Sequence, residues 1–387
     1  MNSLLRKHIK TKNSKIQMKK YLFIATAAIS SMITMNSCKE DIDLVAGYKE
    51  TAVVYGILDQ SEKIHYVKIQ RAFIGPGNSL DIAKIADSNY FENVEAQVVE
   101  YVNEVATKTW FLKDTLLENK NTDGAFFAPQ QKLYYFTDAE QGALNVNAVY
   151  KLTVVANKGL SNEFTVTGET GLVSGIQCAQ APLNKNFNFY DPTKENKYLA
   201  DNIFTGDGGT GNAHIVNLSM MTEFYEYQGT TLIDSASFTL KAGESAVEPG
   251  SSYSASIQGL TFYEQILASA SNNPLIDKRQ LKGITITITG GSEVLYNYMN
   301  ANKPSSTLAQ TKPSYTNLSV TNDKGVVGIF AARQTYSIFK AFSISTQNYR
   351  AIDLKSTKEL CKGTITGNLF FCSKHNSDQN EDFACPL

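Results

Sequence analysis

TAVVYGIL, Thr51–Leu58, is a nearly continuous apolar run rich in β-branched residues, and its short length reads as a strand rather than a helix. The next run, KIHYVKIQRAF at Lys63–Phe73, alternates: Ile64 and Tyr66 fall on one face, and His65, Val67 and Ile69 on the other. The same signal recurs at Glu95–Val102, Thr109–Leu112, Leu133–Phe136, Ala148–Ala156 and Glu163–Thr167. Turn formers separate the runs, at Gly75-Pro76-Gly77-Asn78, Asp123-Gly124 and Asn157-Lys158-Gly159. About seven short strands in some 125 residues, with no long amphipathic helix, predict an immunoglobulin-like or transthyretin-like β-sandwich over 49–175. Ser79–Phe91 interrupts the spacing as a long loop or one helical turn.

Downstream, residues 176–200 read as a junction, with Asn, Lys and Pro crowded into Ala181–Tyr198. Strand patterns then resume at His214–Tyr227, Ser235–Lys241, Gly283–Gly290, Asn317–Thr321 and Val326–Arg333. Leu260–Ala270 fits a helix with Phe262, Ile266 and Leu267 on one face; Ser292–Asn300 fits a second, with Glu293 in its first turn. The expected fold is therefore mainly β. A sandwich is followed by a second β-rich domain, 201–387, with one or two short helices and a Cys-containing C-terminal tail.

Upstream, MKKYLFIATAAISSMITMNSCK at Met18–Lys39 has the layout of a bacterial export signal: two lysines, an apolar stretch of about 15 residues, then Asn36-Ser37-Cys38. The stretch is shorter than the roughly 20 residues a membrane-spanning helix needs. A cysteine directly after Ser37 reads as the lipoprotein variant, in which Cys38 is acylated and becomes the mature N-terminus. Residues 1–37 are thus a signal peptide, with 1–17 an upstream extension ahead of a start at Met18, and 38–48 a lipidated tether. Lys39, Glu40 and Asp41 resemble the surface-export signal of Bacteroidota lipoproteins; the alternative is a solvated, charged tether. Residues 1–37 hold seven of the 36 Lys/Arg and none of the 37 Asp/Glu, leaving a net charge of −8 on the remainder. A mildly acidic chain without a basic run is not a nucleic-acid binder on electrostatic grounds. Its membrane contact would be the bilayer, through the acyl chains on Cys38.

Four further cysteines, Cys178, Cys361, Cys372 and Cys385, are disulfide candidates, with three connectivities open. A zinc site from Cys361, Cys372, His375 and Cys385 is the weaker alternative, because the gaps between the cysteines match no strong signature. The glycine cluster Gly206–Gly211 lacks the following Gly-Lys-Ser/Thr of a phosphate loop and reads as a flexible hairpin tip. No Gly-x-Ser-x-Gly elbow is present, and His65 and His214 fall in expected strands. No catalytic residue, metal or other cofactor is assigned. Twenty Tyr and twenty Phe but a single Trp make sugar or peptide platforms conceivable at Phe187, Phe189 and Tyr190, and at Tyr225 and Tyr227. Against that, pleated sheets favour aromatic residues for packing alone.

Taken together, the chain resembles a Bacteroidota surface lipoprotein family catalogued as domain of unknown function 4249. The resemblance rests on Cys38, on Val53–Leu58, on Ala148–Val154 with the strand closing at Gly168, and most specifically on Pro313–Leu318 through Gly325–Arg333. The tail departs from that pattern, since Cys361, Cys372 and Cys385 are more widely spaced than the family's close cysteine pair. Members often occur beside TonB-dependent outer-membrane transporters. The resemblance therefore implies a non-enzymatic, outer-membrane accessory or ligand-binding protein facing the exterior, with a glycan or peptide as ligand. A surface adhesin or structural module, and a surface hydrolase with dispersed carboxylates, are the alternatives.

Overall fold

The computed structural model describes residues 49–72, 79–118, 120–124, 127–179, 185–303, 315–342 and 350–386. The leader, Cys38 with Lys39, Glu40 and Asp41, the turn at 75–78, and Pro313-Ser314 lie outside them. Strand β1 (Thr51–Asp59) forms where the apolar run predicts it, burying Ala52, Val54 and Leu58 while Ile57 stays exposed. Its antiparallel neighbour β2 (Ile64–Ala72) buries His65, Val67 and Ile69 and exposes Ile64 and Tyr66, as the alternation requires. The insert becomes a short helix α1 (Ser79–Ala83) and a 3-10 turn at Ala86–Asn89. Next come β3 (Val94–Val102), β4 (Val105–Phe111), β5 (Lys113–Leu117), β6 (Gln131–Thr137), α2 (Asp138–Gln141), β7 (Val149–Ala156) and β8 (Phe164–Gly171).

The later half contributes β9 (Ala200–Phe204), β10 (Ile215–Gln228), β11 (Thr231–Ala246), β12 (Ser254–Gln258), α3 (Gly259–Ser269), β13 (Lys278–Gly291), α4 (Glu293–Asn302), β14 (Leu318–Val320), β15 (Gly325–Ala341) and α5 (Leu354–Lys362). The protein is mainly β, as expected, and none of the described helices is long and apolar enough to cross a membrane. An eight-stranded sheet runs in the order β11-β10-β13-β15-β1-β2-β6-β5, a five-stranded sheet runs β14-β8-β7-β3-β4, and β9 pairs with β12.

The five-stranded sheet packs on the half of the large sheet that holds β1, β2 and β6, making the sandwich. Trp110 of β4, fully buried, sits 5.2 Å from the Phe136 ring of β6 and 6.3 Å from that of Tyr150. Tyr150, near the start of β7, turns its hydroxyl back to the backbone of Asn145 (2.6 Å to N, 3.1 Å to O) and donates to Glu100 at 2.7 Å. That closing of a corner by a tyrosine is a device of immunoglobulin-like sandwiches. At Gly168 an added Cβ would lie 2.5 Å from Leu318 and 3.2 Å from Phe330, so glycine lets the strands meet there.

Strand pairing crosses the boundary expected at 176–200. β15 runs parallel to β1, with Thr51 opposite Gly325 through Asp59 opposite Arg333, and β14 pairs with β8. Residues 318–341 therefore complete the sandwich, although they belong to the later half of the chain. The junction is not a linker either. Phe187 donates its N–H to the Ala351 carbonyl and accepts from the Asp353 N–H, and Phe189 N–H bonds the Ser356 hydroxyl. Its aromatics pack with α3 and α5 over the inner face of the β10–β13 half of the sheet. Helix α3 buries Phe262, Tyr263 and Ile266, whereas Leu267, expected on that face, is exposed because the buried stripe runs through Tyr263 instead. Helix α4 starts one residue later than its Ser292 cap, whose hydroxyl accepts from the Leu295 N–H, a standard cap geometry. The glycine cluster is packed rather than flexible: Thr210 is fully buried, and a Cβ on Gly211 would lie 1.9 Å from the Ser174 carbonyl oxygen.

Candidate functional site

A polar cleft forms where the β10–β11 turn, the start of β13 and the C-terminal tail converge. Strand β15 ends at Ala341, and the Phe342 N–H donates to the Lys282 carbonyl. The tail pairs with the start of β13: Arg279 N–H donates to the Phe370 carbonyl at 2.9 Å, and Cys372 N–H to the Arg279 carbonyl at 3.0 Å. Cys372 and Cys385 are bonded to each other, with Cα atoms 4.8 Å apart, and Gln280 Nε2 lies 3.1 Å from the Cys385 sulfur beneath them.

Under the disulfide lies a buried polar knot. Asp378, fully buried, accepts from Arg350 Nη2 at 2.6 Å and from the Ser373 hydroxyl at 2.6 Å. His375 Nδ1 faces Arg350 Nη2 at 3.0 Å and accepts from the Ser377 N–H at 3.2 Å. The serine, histidine and aspartate are thus in contact but not in a nucleophilic relay, since the serine proton goes to the aspartate and the histidine acceptor is taken by the arginine. A second buried pair fastens the tail to the sheet. Arg279 Nε donates to Glu226 at 2.8 Å, Nη1 to the Leu369 carbonyl at 2.8 Å and Nη2 to the Ser271 carbonyl at 2.6 Å. Burial pushes the Glu226 carboxyl up, but hydrogen bonds from Ser271 and Arg279 more than offset this and hold it below the usual glutamate range.

On this frame stands a cleft of about 570 Å³ lined by Tyr227, Thr230, Lys278, Lys374, Gln379 and Asn380, among others. Tyr227 leaves β10 on the face opposite the core, just past a register shift between Glu226 and Tyr227. The Lys278 ammonium lies 4.9 Å from its ring centroid and that of Lys374 5.6 Å, both within cation–π range. Lys278 also donates to the Gly229 carbonyl, while Asp277 turns its carboxylate to the Gly229 N–H at 2.9 Å. Tyr225 meets Tyr227 edge-on at 6.1 Å, and Lys282 near it is paired with Glu223 at 2.9 Å. Burial pushes the Tyr227 phenol up, so at neutral pH it keeps its proton and can donate.

Of the aromatics singled out from sequence, Tyr227 lines the cleft, and Tyr225, half-buried beside it, meets its ring without lining the cleft. Phe187 and Phe189 are not a platform. They are 1 % and 0 % exposed, stacked 5.3 Å apart, with Phe189 a further 4.5 Å from Phe262; their apolar faces are worth more inside the core than in water. Tyr190 is half-buried and packs on Tyr198. Cys178 and Cys361 are buried thiols rather than disulfide halves, and burial pushes Cys361 up to about 12. With Cys372 and Cys385 tied to each other, the zinc alternative loses two of its three thiolates, and no group of metal ligands stands together among the described residues. Lys278, Lys374, Gln379 and Asn380 went unread in the sequence; only the tail's cysteines hinted that this segment is pinned somewhere.

A second surface lies on the outer side of the large sheet. Ile57, Ile64, Tyr66 and Val327 are 36–46 % exposed there, beside Tyr55, whose hydroxyl bonds that of Tyr298 on α4 at 3.1 Å. Burial and that bond push the Tyr55 phenol up to about 12. No protein-family model matches the chain, and no curated protein matches it in sequence.

Proposed function

We propose that this chain is an outer-membrane lipoprotein, tethered by an acylated Cys38 and facing the cell exterior. It acts as a non-enzymatic accessory or ligand-binding protein of a TonB-dependent nutrient transporter. The observation that carries the reading is the export leader running into Asn36-Ser37-Cys38 and then Lys39-Glu40-Asp41. The resemblance to the transporter-associated lipoprotein family adds the partner. The exposed aliphatic and aromatic strip on the outer sheet face supplies a surface of the kind that marks protein contacts. The same strip favours a second reading, an adhesive or structural module that engages another protein without any transporter.

The test joins acylation to partnership. Cells fed an alkyne-labelled fatty acid should label the wild-type protein and not Cys38→Ala. Crosslinking on intact cells followed by affinity capture should recover an outer-membrane barrel. Labelling of Cys38→Ala, or an unmodified amino end on the mature protein, overturns the anchor. Capture that repeatedly yields no barrel, together with lost surface attachment on deletion, favours the adhesive module.

A further inference from the structure

We propose that the cleft between Tyr227, Lys278 and Lys374 is a binding site for an acidic saccharide, with a carboxylate-bearing sugar seated between the two ammonium groups. This deepens the ligand-binding reading by naming a ligand class, and the binding test below does not depend on the membrane anchor or the transporter.

Three observations converge. The first is charge: both ammonium groups sit against one tyrosine ring, and among the described residues neither has a carboxylate within ion-pair distance. The neighbouring Lys282 differs, since Glu223 neutralises it, and Asp277 is engaged by the turn. Two like charges held together with no carboxylate among the described residues to pair them repel each other, and an anion between them relieves that repulsion. The second is capacity. Lys278 uses one N–H on the Gly229 carbonyl and keeps two, and an ammonium has three donors in all. Gln379, Asn380, Thr230 and the protonated Tyr227 phenol add neutral donors and acceptors suited to hydroxyl groups. The lysines are point charges rather than the guanidinium forks that clamp phosphate in two places. The third is size and rigidity: about 570 Å³ suits a sugar of one or two rings and far exceeds an inorganic anion. The lysine-bearing walls are fixed by the Cys372–Cys385 bond and the Arg279 and Asp378 anchors, so little ordering cost falls on binding.

The test is calorimetric titration of the full processed protein in detergent with digalacturonate, its methyl ester and inorganic phosphate. Digalacturonate should bind in 50 mM salt and weaken several-fold at 300 mM. The ester and phosphate should each bind at least ten-fold more weakly. Lys278→Gln and Lys374→Gln should each cost about ten-fold, while Lys282→Gln, whose ion pair is elsewhere on the sheet, should change affinity less than two-fold. Unchanged melting of the variants shows that the loss is local. Equal binding of acid and ester, phosphate as good as the sugar, or lysine variants that bind like wild type would overturn the proposal. So would failure of digalacturonate, sialyllactose and glucuronate alike to bind at 10 mM. A failed barrel capture would leave this result standing and count only against the transporter.

Discussion

Replacing Arg279 by methionine should be among the most damaging single changes in the later half of the chain. Its guanidinium is 4 % exposed and faces a Glu226 carboxylate that is 1 % exposed. Removing it leaves Glu226 with Ser271 but no cation and strips the Leu369 and Ser271 carbonyls of their Arg279 donors. An uncompensated buried charge costs about 3–5 kcal/mol, and the orphaned carbonyls add about 1 kcal/mol or more, so the loss should reach roughly 4–6 kcal/mol. Urea unfolding followed by tyrosine fluorescence measures it. The double variant Glu226→Gln/Arg279→Met removes the orphan charge and should recover about half of the loss. The same variant should speed proteolysis within 363–386, because Leu369 is the tail's link to the pair. A cost below about 1 kcal/mol, or a double variant worse than the single by the full cost of a second orphan, would refute this account of the tail.

Acid should act through the same carboxylates. Asp59 and Glu226 are both pushed up by burial and brought below their usual 3.8 and 4.5 by hydrogen bonds, from Ser61, Thr335 and Arg333 in one case and from Ser271 and Arg279 in the other. Their contribution is complete above the unfolded values and is lost as pH falls through the lower folded ones. The urea midpoint should therefore hold from pH 7 to about 5 and drop below pH ~4.5, and Glu226→Gln should shallow that drop; an unchanged slope would count against it. Mass spectrometry of the unreduced protein should find one crosslink, Cys372 to Cys385, with Cys178 and Cys361 alkylated only after unfolding. Changing Cys372 and Cys385 together to serine should cost about 2–3 kcal/mol, the value for a loop near this length, as read from the urea midpoint. Trp110→Ala should cost about 3–5 kcal/mol, since the fully buried indole joins the two layers of the sandwich; a melting point within 2 °C of wild type would argue against that role.

The sheet elements were legible where one face is buried. Alternation at 64–69 placed Ile64 and Tyr66 outside and His65, Val67 and Ile69 inside, as found. Short or polar elements were not. Strand β5 alternates Lys113, Asp114 and Thr115 at a sheet edge and carries no apolar period. Helix α5 buries Ser356, Thr357 and Glu359 beside Leu360 and Cys361, so its covered side looks like a surface in sequence. The Phe187-Asn188-Phe189-Tyr190 stretch was misread because aromatics among Asn and Lys look like a loop. Here Lys185 and Asn186 are exposed, while Asn188 gives its backbone N–H to Asp201 and the rings of Phe187 and Phe189 enter the core. The cleft was half legible: Tyr225 and Tyr227 alternate with buried Phe224 and Glu226, which marks them as outward. That Lys278 would meet Lys374 depends on the tail pairing with the start of β13, and no local pattern encodes that.

The parallel seam between β1 and β15 has a consequence for how the molecule is made. Partners such as Asp59 and Arg333 are 274 residues apart, and the intervening chain must be present before they can meet. A polypeptide threaded amino end first would show its opening strand for most of its synthesis with one long side unsatisfied, an invitation to mispairing. The pairings among β3, β4, β7 and β8 and among β10, β11 and β13 can form earlier, but the large sheet closes only when β15 arrives between β1 and β13.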